Sequence, residues 1–170
     1  MKLIIDVNYG ADEALAAGII FNNWNDAEPS CVITAVITKI EPYEPGMFYK
    51  RELPCVQKIL NLVSEINPPI NLKYIIVDGY VWLGINKPGM GYKLYELLKE
   101  QIPIIGVAKK HFYGADSAIK ILRGESKSPL FITAAGVDAQ EAAELISSMH
   151  GNFRLPTLIK LADSKCRGYA

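Results

Sequence analysis

Two histidines and three cysteines are all that this 170-residue chain holds of the soft metal ligands. Cys31, Cys55 and Cys166 are far apart and odd in number. They fit neither a disulfide framework nor a zinc site, and a reducing cytoplasm suits them. No apolar run approaches the roughly 20 residues that a membrane helix needs, so no membrane partner is expected. The opening MKLIID runs at once into a strand, without a basic leader, apolar segment and cleavage site in series, and reads as having no signal peptide. Repeats, low-complexity tracts and linkers are missing too, so a single domain over 1–170 is expected. Net charge is also lacking: 18 Lys and Arg balance 18 Asp and Glu. No global field therefore advertises a nucleic-acid partner. The balance is uneven along the chain. Residues 1–100 carry nine basic against twelve acidic residues, and residues 101–170 carry nine against six, a modest phosphate-facing surface in the second part.

What is present is an ordinary globular composition, half of it hydrophobic. KLIIDVNY (2–9) reads as a central strand, and AAGIIFNNW (16–24) and CVITAVITKI (31–40) as two more, in an antiparallel meander. PYEPGMFY, with Pro42, Pro45 and Gly46, reads as a stiff loop. From Arg51 the period changes: Leu53, Val56, Ile59, Leu60 and Val63 share one helical face, ending near NPP at 67–69. Then follow a strand (73–78), a Gly-rich loop (84–91), a helix (92–100), strands at 103–108 and 129–134, a helix at 138–149 started by Asp138, and a closing helix with Pro156 in its first turn. The fold class expected is α/β: a mixed β-sheet, antiparallel meander then parallel strands, with helices on both faces.

Carboxylates stand at telling places in this pattern. Asp6 lies within the first strand, Glu52 opens the first helix, and Asp78 ends the apolar run KYIIVDGY just before Gly79. Neighbouring strands would place Asp6 beside Asp78, and adjacent carboxylates repel unless a proton or cation neutralises them. Hard oxygen ligands without His or Cys favour Mg²⁺ or Mn²⁺, ions that activate water and steady charge in phosphodiester cleavage. Each acid also has a plain structural reading. Asp6 would pair with backbone or a lysine, Glu52 would be a first-turn acid favouring the helix dipole, and Asp78-Gly79 a turn. Lys109 and Lys110 would be a solvated strand end.

The pieces IIDVNY (4–9), PYEPGMFYKRELP (42–54), IIVDG (75–79), PIIGVAKK (103–110) and RLPTLIKLAD (154–163) occur in an order that resembles the endonuclease V family. These are nucleases of ribonuclease H-like fold that act on deoxyinosine in DNA or inosine in RNA. The resemblance implies that Asp6, Glu52 and Asp78 bind the divalent ion, Mg²⁺ or Mn²⁺, beside the scissile phosphate, and that Lys109 contacts phosphate or stabilises the transition state. It implies that Tyr43 is the wedge that opens the strands. Gly46, Gly79 and Gly106 would lie around the base pocket, and Arg51 would take part in substrate binding. A Pro-flanked Tyr suits stacking into the gap left by a flipped base. The expected partner is DNA or RNA, single-stranded or locally opened; the association state stays open.

The chain also departs from that family. Where the family shows a glycine and His-Pro-Arg after VDG, this chain reads YVWLGINKPGMG. Tyr95 stands near the place of a second family histidine, and Ala134-Ala135 at that of a Gly-His pair. His111, after two lysines, reads as exposed, and His150 as a helix C-terminal cap. The alternatives are a non-catalytic nucleic-acid-binding relative and, more remotely, a small α/β enzyme acting on phosphoester metabolites.

Overall fold

Leu3, Ile4 and Ile5 are all buried, none more than 2% exposed. Consecutive strand residues point to opposite faces, so this strand must be covered on both. It is β1 (Lys2–Tyr9), third in a seven-stranded sheet of a computed structural model that describes residues 1–40, 42 and 44–168. β2 (Ala14–Phe21) and β3 (Cys31–Ile37) complete the antiparallel meander. After α1 (Phe48–Ser64), β4 (Tyr74–Asp78) lies parallel to β1, and β7 (Ile104–Ala108) parallel to β4. Between them come a small hairpin of β5 (Trp82–Gly84) and β6 (Lys87–Pro88), then α2 (Met90–Leu97). β8 (Ile119–Ile121) and β9 (Leu130–Ala135) add two antiparallel strands, giving the order β3-β2-β1-β4-β7-β9-β8. α3 (Ala139–Ser147) and α4 (Thr157–Cys166) close the chain.

Strand alternation sorts the core into two layers. Leu3, Ile5, Ile75, Val77 and Ile104 pack with α1 and α2 through Val56, Ile59 and Leu94. Ile4, Ile76, Ile105 and Val107 pack on the other side with α3 and α4 through Ile146, Leu158 and Ala162. Each fully buried aliphatic side chain contributes roughly 1.5–3 kcal/mol of transfer free energy. No helix among the described residues is long and apolar enough to cross a membrane.

Several boundaries differ from the sequence expectation. The first helix starts at Phe48, not Arg51, because Phe48 packs edge-on against Tyr9 with ring centroids 5.6 Å apart. Glu52 is therefore a buried residue of the second turn and not a first-turn acid. The strands expected at 16–24 and 31–40 stop at Phe21 and Ile37; beyond Phe21, Asp26 instead accepts hydrogen bonds from the backbone amides of Asn22 and Asn23. The Gly-rich stretch 84–91 is shared between the hairpin and the start of α2, which begins at Met90 and ends at Leu97. β8 was not foreseen, being three residues long. Pro156 is the N-cap residue of α4, one position before its first turn. His150 does not cap α3. Ser148 does, while His150 Nδ1 meets Thr157 Oγ1 at 2.9 Å. Asp138 caps α3 as expected, accepting from the amides of Gln140 and Glu141.

Candidate active site

The parallel pairing of three adjacent strands, β1, β4 and β7, runs out at one place. Asp78 is the last residue of β4, Lys109 directly follows β7, and Asp6 lies beyond Ile5, which is paired with Val77. The carboxyl ends of parallel strands are where open α/β sheets carry their sites. Residues 4 and 76 pack on the α4 side, and so do 105 and 107. Counting on by twos brings Asp6, Asp78 and Lys109 to that same face. There α4 contributes Asp163. One carboxylate oxygen each from Asp6, Asp78 and Asp163 lie within 4.8 Å of one another. Lys109 Nζ donates to Asp78 Oδ2 and Asp163 Oδ1, both at 2.9 Å. Arg167 Nε donates to Asp163 Oδ2 at 3.1 Å from the outer side.

Glu52 comes from α1 on the opposite face of the sheet and is not part of this trio, although its carboxyl feels the charges of Asp78 and Asp6. Burial, then those two charges, push the Glu52 carboxyl up to about 8. Burial, then Asp78, raise Asp6 to about 6, against the pull of Lys109 and of the Val7 amide that donates to Asp6 Oδ1 at 2.8 Å. For Lys109, burial works to lower the pKa, but its bonds to Asp163 and Asp78 hold it above the usual lysine range. Burial works against the Asp163 carboxylate as well, yet Lys109 and Arg167 keep it below the usual range. Four carboxyls thus share two cations, and the two most buried of the four resist ionisation. That excess of negative charge in hard oxygen donors fits a divalent cation of the magnesium or manganese kind.

Beside the trio opens a cavity of about 410 Å³, lined by Glu52, Asp78, Gly46, Gly79, Tyr80, Phe112 and neighbours. Gly46 (φ +78°) and Gly79 (φ +127°) leave their side-chain positions open towards it. Tyr80 is stapled along one wall: its hydroxyl donates to the Lys110 carbonyl at 2.8 Å and accepts from the Phe112 amide at 3.1 Å. Gly106 does not line the cavity but stands behind it. A Cβ there would meet the Gly79 carbonyl oxygen at 2.5 Å, so glycine lets the Gly79 segment lie against β7. Arg51 faces elsewhere, stacked 4.4 Å over the Tyr9 ring. Tyr43, expected as the wedge, lies outside the described residues.

The positions at which the resemblance leads to an expectation of histidines, Tyr95 and Ala134-Ala135, are packed. Tyr95 sits against Gly136, where a Cβ would come within 2.8 Å of its ring. Trp82 donates to the Ala134 carbonyl at 3.0 Å and stacks on Tyr92 with centroids 4.1 Å apart. His111 is exposed, with Asp116 at 3.8 Å. Asp163 is the site residue that sequence reasoning passed over. Its signal was an acid next to the buried stripe Leu158, Ile159, Ala162 and Cys166 of an amphipathic helix.

The sequence profile of the family described as Endonuclease V matches residues 3–134, that is, from β1 into β9. No curated protein matches the chain in sequence. Solved structures resemble it closely in fold. One is Ciona intestinalis endonuclease V, a variant in complex with a 23mer DNA containing an inosine followed by a ribo-adenosine. It has TM-score 0.81 at 18% identity, over 98% of this chain and 83% of that one. Human ENDOV gives 0.81 at 20% identity, over 98% and 82%. Endonuclease V from Streptomyces avermitilis gives 0.74 at 25% identity, over 98% and 79%. The ribonuclease H-like mixed sheet expected from the sequence is the fold observed.

Proposed function

The chain belongs to the endonuclease V family, and from that premise we propose that it is a divalent-ion-dependent endonuclease. Its substrate would be DNA or RNA, single-stranded or locally opened, cut near inosine or another deaminated base. The observation that carries this reading is the trio Asp6, Asp78 and Asp163, with Lys109 bridging Asp78 and Asp163, next to a cavity that Asp78, Gly46 and Gly79 line. Asp6, Asp78 and Asp163 would hold Mg²⁺ or Mn²⁺, with Glu52 behind them. When bound, the ion supplies Lewis acidity and activates water for attack on the phosphodiester.

The protein's own groups divide the remaining work. The cavity is of a size for one base, and the positive φ values of Gly46 and Gly79 leave backbone groups free to meet a base edge. Lys109 carries an ammonium held in place by two carboxylates, so its charge is positioned before substrate arrives and costs little reorganisation. Glu52 retains its proton to about pH 8 in the metal-free protein, and its charge emerges where a cation can balance it.

Cleavage of deoxyinosine- and inosine-containing oligonucleotides, with Mg²⁺ or Mn²⁺ and with chelator, tests the proposal. The expected result is metal-dependent cutting that Asp78→Asn abolishes. Equal background cutting by the wild type and by Asp78→Asn would overturn it. A second reading, a binding relative without catalysis, draws on the residues Ala134, Ala135 and Tyr95, which stand where the family resemblance leads one to expect histidines. It predicts substrate binding that survives chelation.

A further inference from the structure

Apart from that cavity, and sharing none of its lining residues, lies an open groove of about 1000 Å³ that the proposed reaction does not use. Arg123, Arg154 and Lys160 line it against a single acid, Glu125, an excess of two positive charges in a chain whose total is zero. Among the described residues none of the three cations pairs with a carboxylate. The groove's most exposed aromatic is Phe153, 72% exposed, with Lys160 Nζ 5.7 Å from its ring centroid.

The loop that presents Phe153 is held firmly. Arg123 is 7% exposed and donates to the carbonyls of Met149, Gly151 and Phe153. Gly124 packs so closely on this loop that a Cβ would meet the Asn152 carbonyl oxygen at 2.1 Å. The ring stands in solvent on this clamped loop, and Leu122, 64% exposed, lines the same groove, so the exposed apolar surface is more than one side chain.

One residue of the groove also reaches the backbone beside the trio. Arg154 donates to the carbonyls of Lys109 and Pro129, and its buried Nε has no partner. Lys160 precedes Asp163 by three residues on α4, so the two lie on neighbouring faces of one helix. An aromatic ring beside an ammonium matches the alternation of base and phosphate along a strand, and stacking of this kind is indifferent to sequence.

We propose that this groove binds single-stranded nucleic acid, with a base stacked on Phe153 and the flanking phosphates met by Lys160 and Arg154. It extends the proposed function, on which it rests for the link to cleavage: the strand held at the trio continues along α4. Binding is measured by fluorescence anisotropy on an oligothymidylate of about 18 nucleotides, longer than one such binding site, which contains no inosine. Phe153→Ala weakens binding roughly tenfold, the lower part of the range for loss of one stacked base, and Phe153→Trp restores it. Lys160→Gln lowers the slope of log K against log salt by about 0.7, one phosphate contact on a single strand. With inosine substrates, Phe153→Ala raises KM on long oligonucleotides and leaves kcat, and the KM of short ones, unchanged. Equal affinities of wild type and Phe153→Ala, or no oligothymidylate binding at all, overturn the proposal. Oligothymidylate binding that depends on Phe153, without any cleavage of inosine substrates, leaves the groove standing and removes the nuclease reading alone.

Discussion

Replacing Glu52 by Gln in the metal-free protein isolates the cost of packing a fourth carboxyl behind the trio. Glu52 is 8% exposed and its carboxyl is raised from 4.5 to about 8 by burial and by the charges of Asp78 and Asp6. A carboxyl with a raised folded-state pKa keeps its proton in the folded chain after the unfolded chain has lost it. Stability therefore falls as pH rises from about 4.5, and the fall is complete just above 8. At about 1.4 kcal/mol per pH unit the interval caps the penalty at roughly 5 kcal/mol, and relaxation or water entry reduces it, so about 2–5 kcal/mol is expected. Gln keeps the shape and cannot ionise. Urea unfolding in EDTA should find the two proteins alike near pH 4.5 and Glu52→Gln more stable by that amount near pH 8.5. Taking the difference between the two cancels the titrating groups that do not feel Glu52, and leaves Glu52 with its coupling to Asp6 and Asp78. Mg²⁺ added at high pH should narrow the gap by stabilising the wild type more. A gap below about 0.5 kcal/mol at high pH, within the range of ordinary surface substitutions, would refute the reasoning. So would a gap that does not change with pH.

Asp163→Asn should shrink the Mg²⁺-induced rise in Tm to a small fraction of the wild-type rise; a full rise in the variant would remove Asp163 from the ion's ligands. Gly106→Ala drives a methyl into the Gly79 carbonyl, the Val81 amide nitrogen and Thr133 Oγ1, all within 2.9 Å. The expected cost is about 2–3 kcal/mol, or roughly 5–10 °C in Tm for a chain of this size by calorimetry. Arg123→Met leaves three loop carbonyls unpaired. It should cost about 2–4 kcal/mol in urea unfolding and speed proteolysis within 149–153.

The sheet was legible because its strands are apolar runs with few interruptions, and such runs read the same in isolation as in the fold. Asp6 and Asp78 were legible for the converse reason, a charge set inside or at the end of such a run. β8 was not, since IKI carries too few residues to show a period. The start of α1 is not legible, because Pro45-Gly46 signals a loop but not where it ends, and the contact of Phe48 with Tyr9 decides that.

The residue types alone determined the chemistry on offer: hard carboxylate oxygens, scarce histidine, and a lysine directly after a buried strand. Strand parity, also readable from the chain, determined that Asp6, Asp78 and Lys109 share a face. Which helix covers that face was decided only by tertiary packing. α4 lies against it and α1 against the other, so Asp163 completes the trio while Glu52 comes from the other layer to meet Asp78 at the cavity. A one-dimensional pattern specifies which side of a strand a residue takes, but the choice of partner for that side depends on how layers pack. In the same way Phe153 is an ordinary loop aromatic in the sequence, and only the clamp from Arg123, 30 residues away, holds it in the solvent.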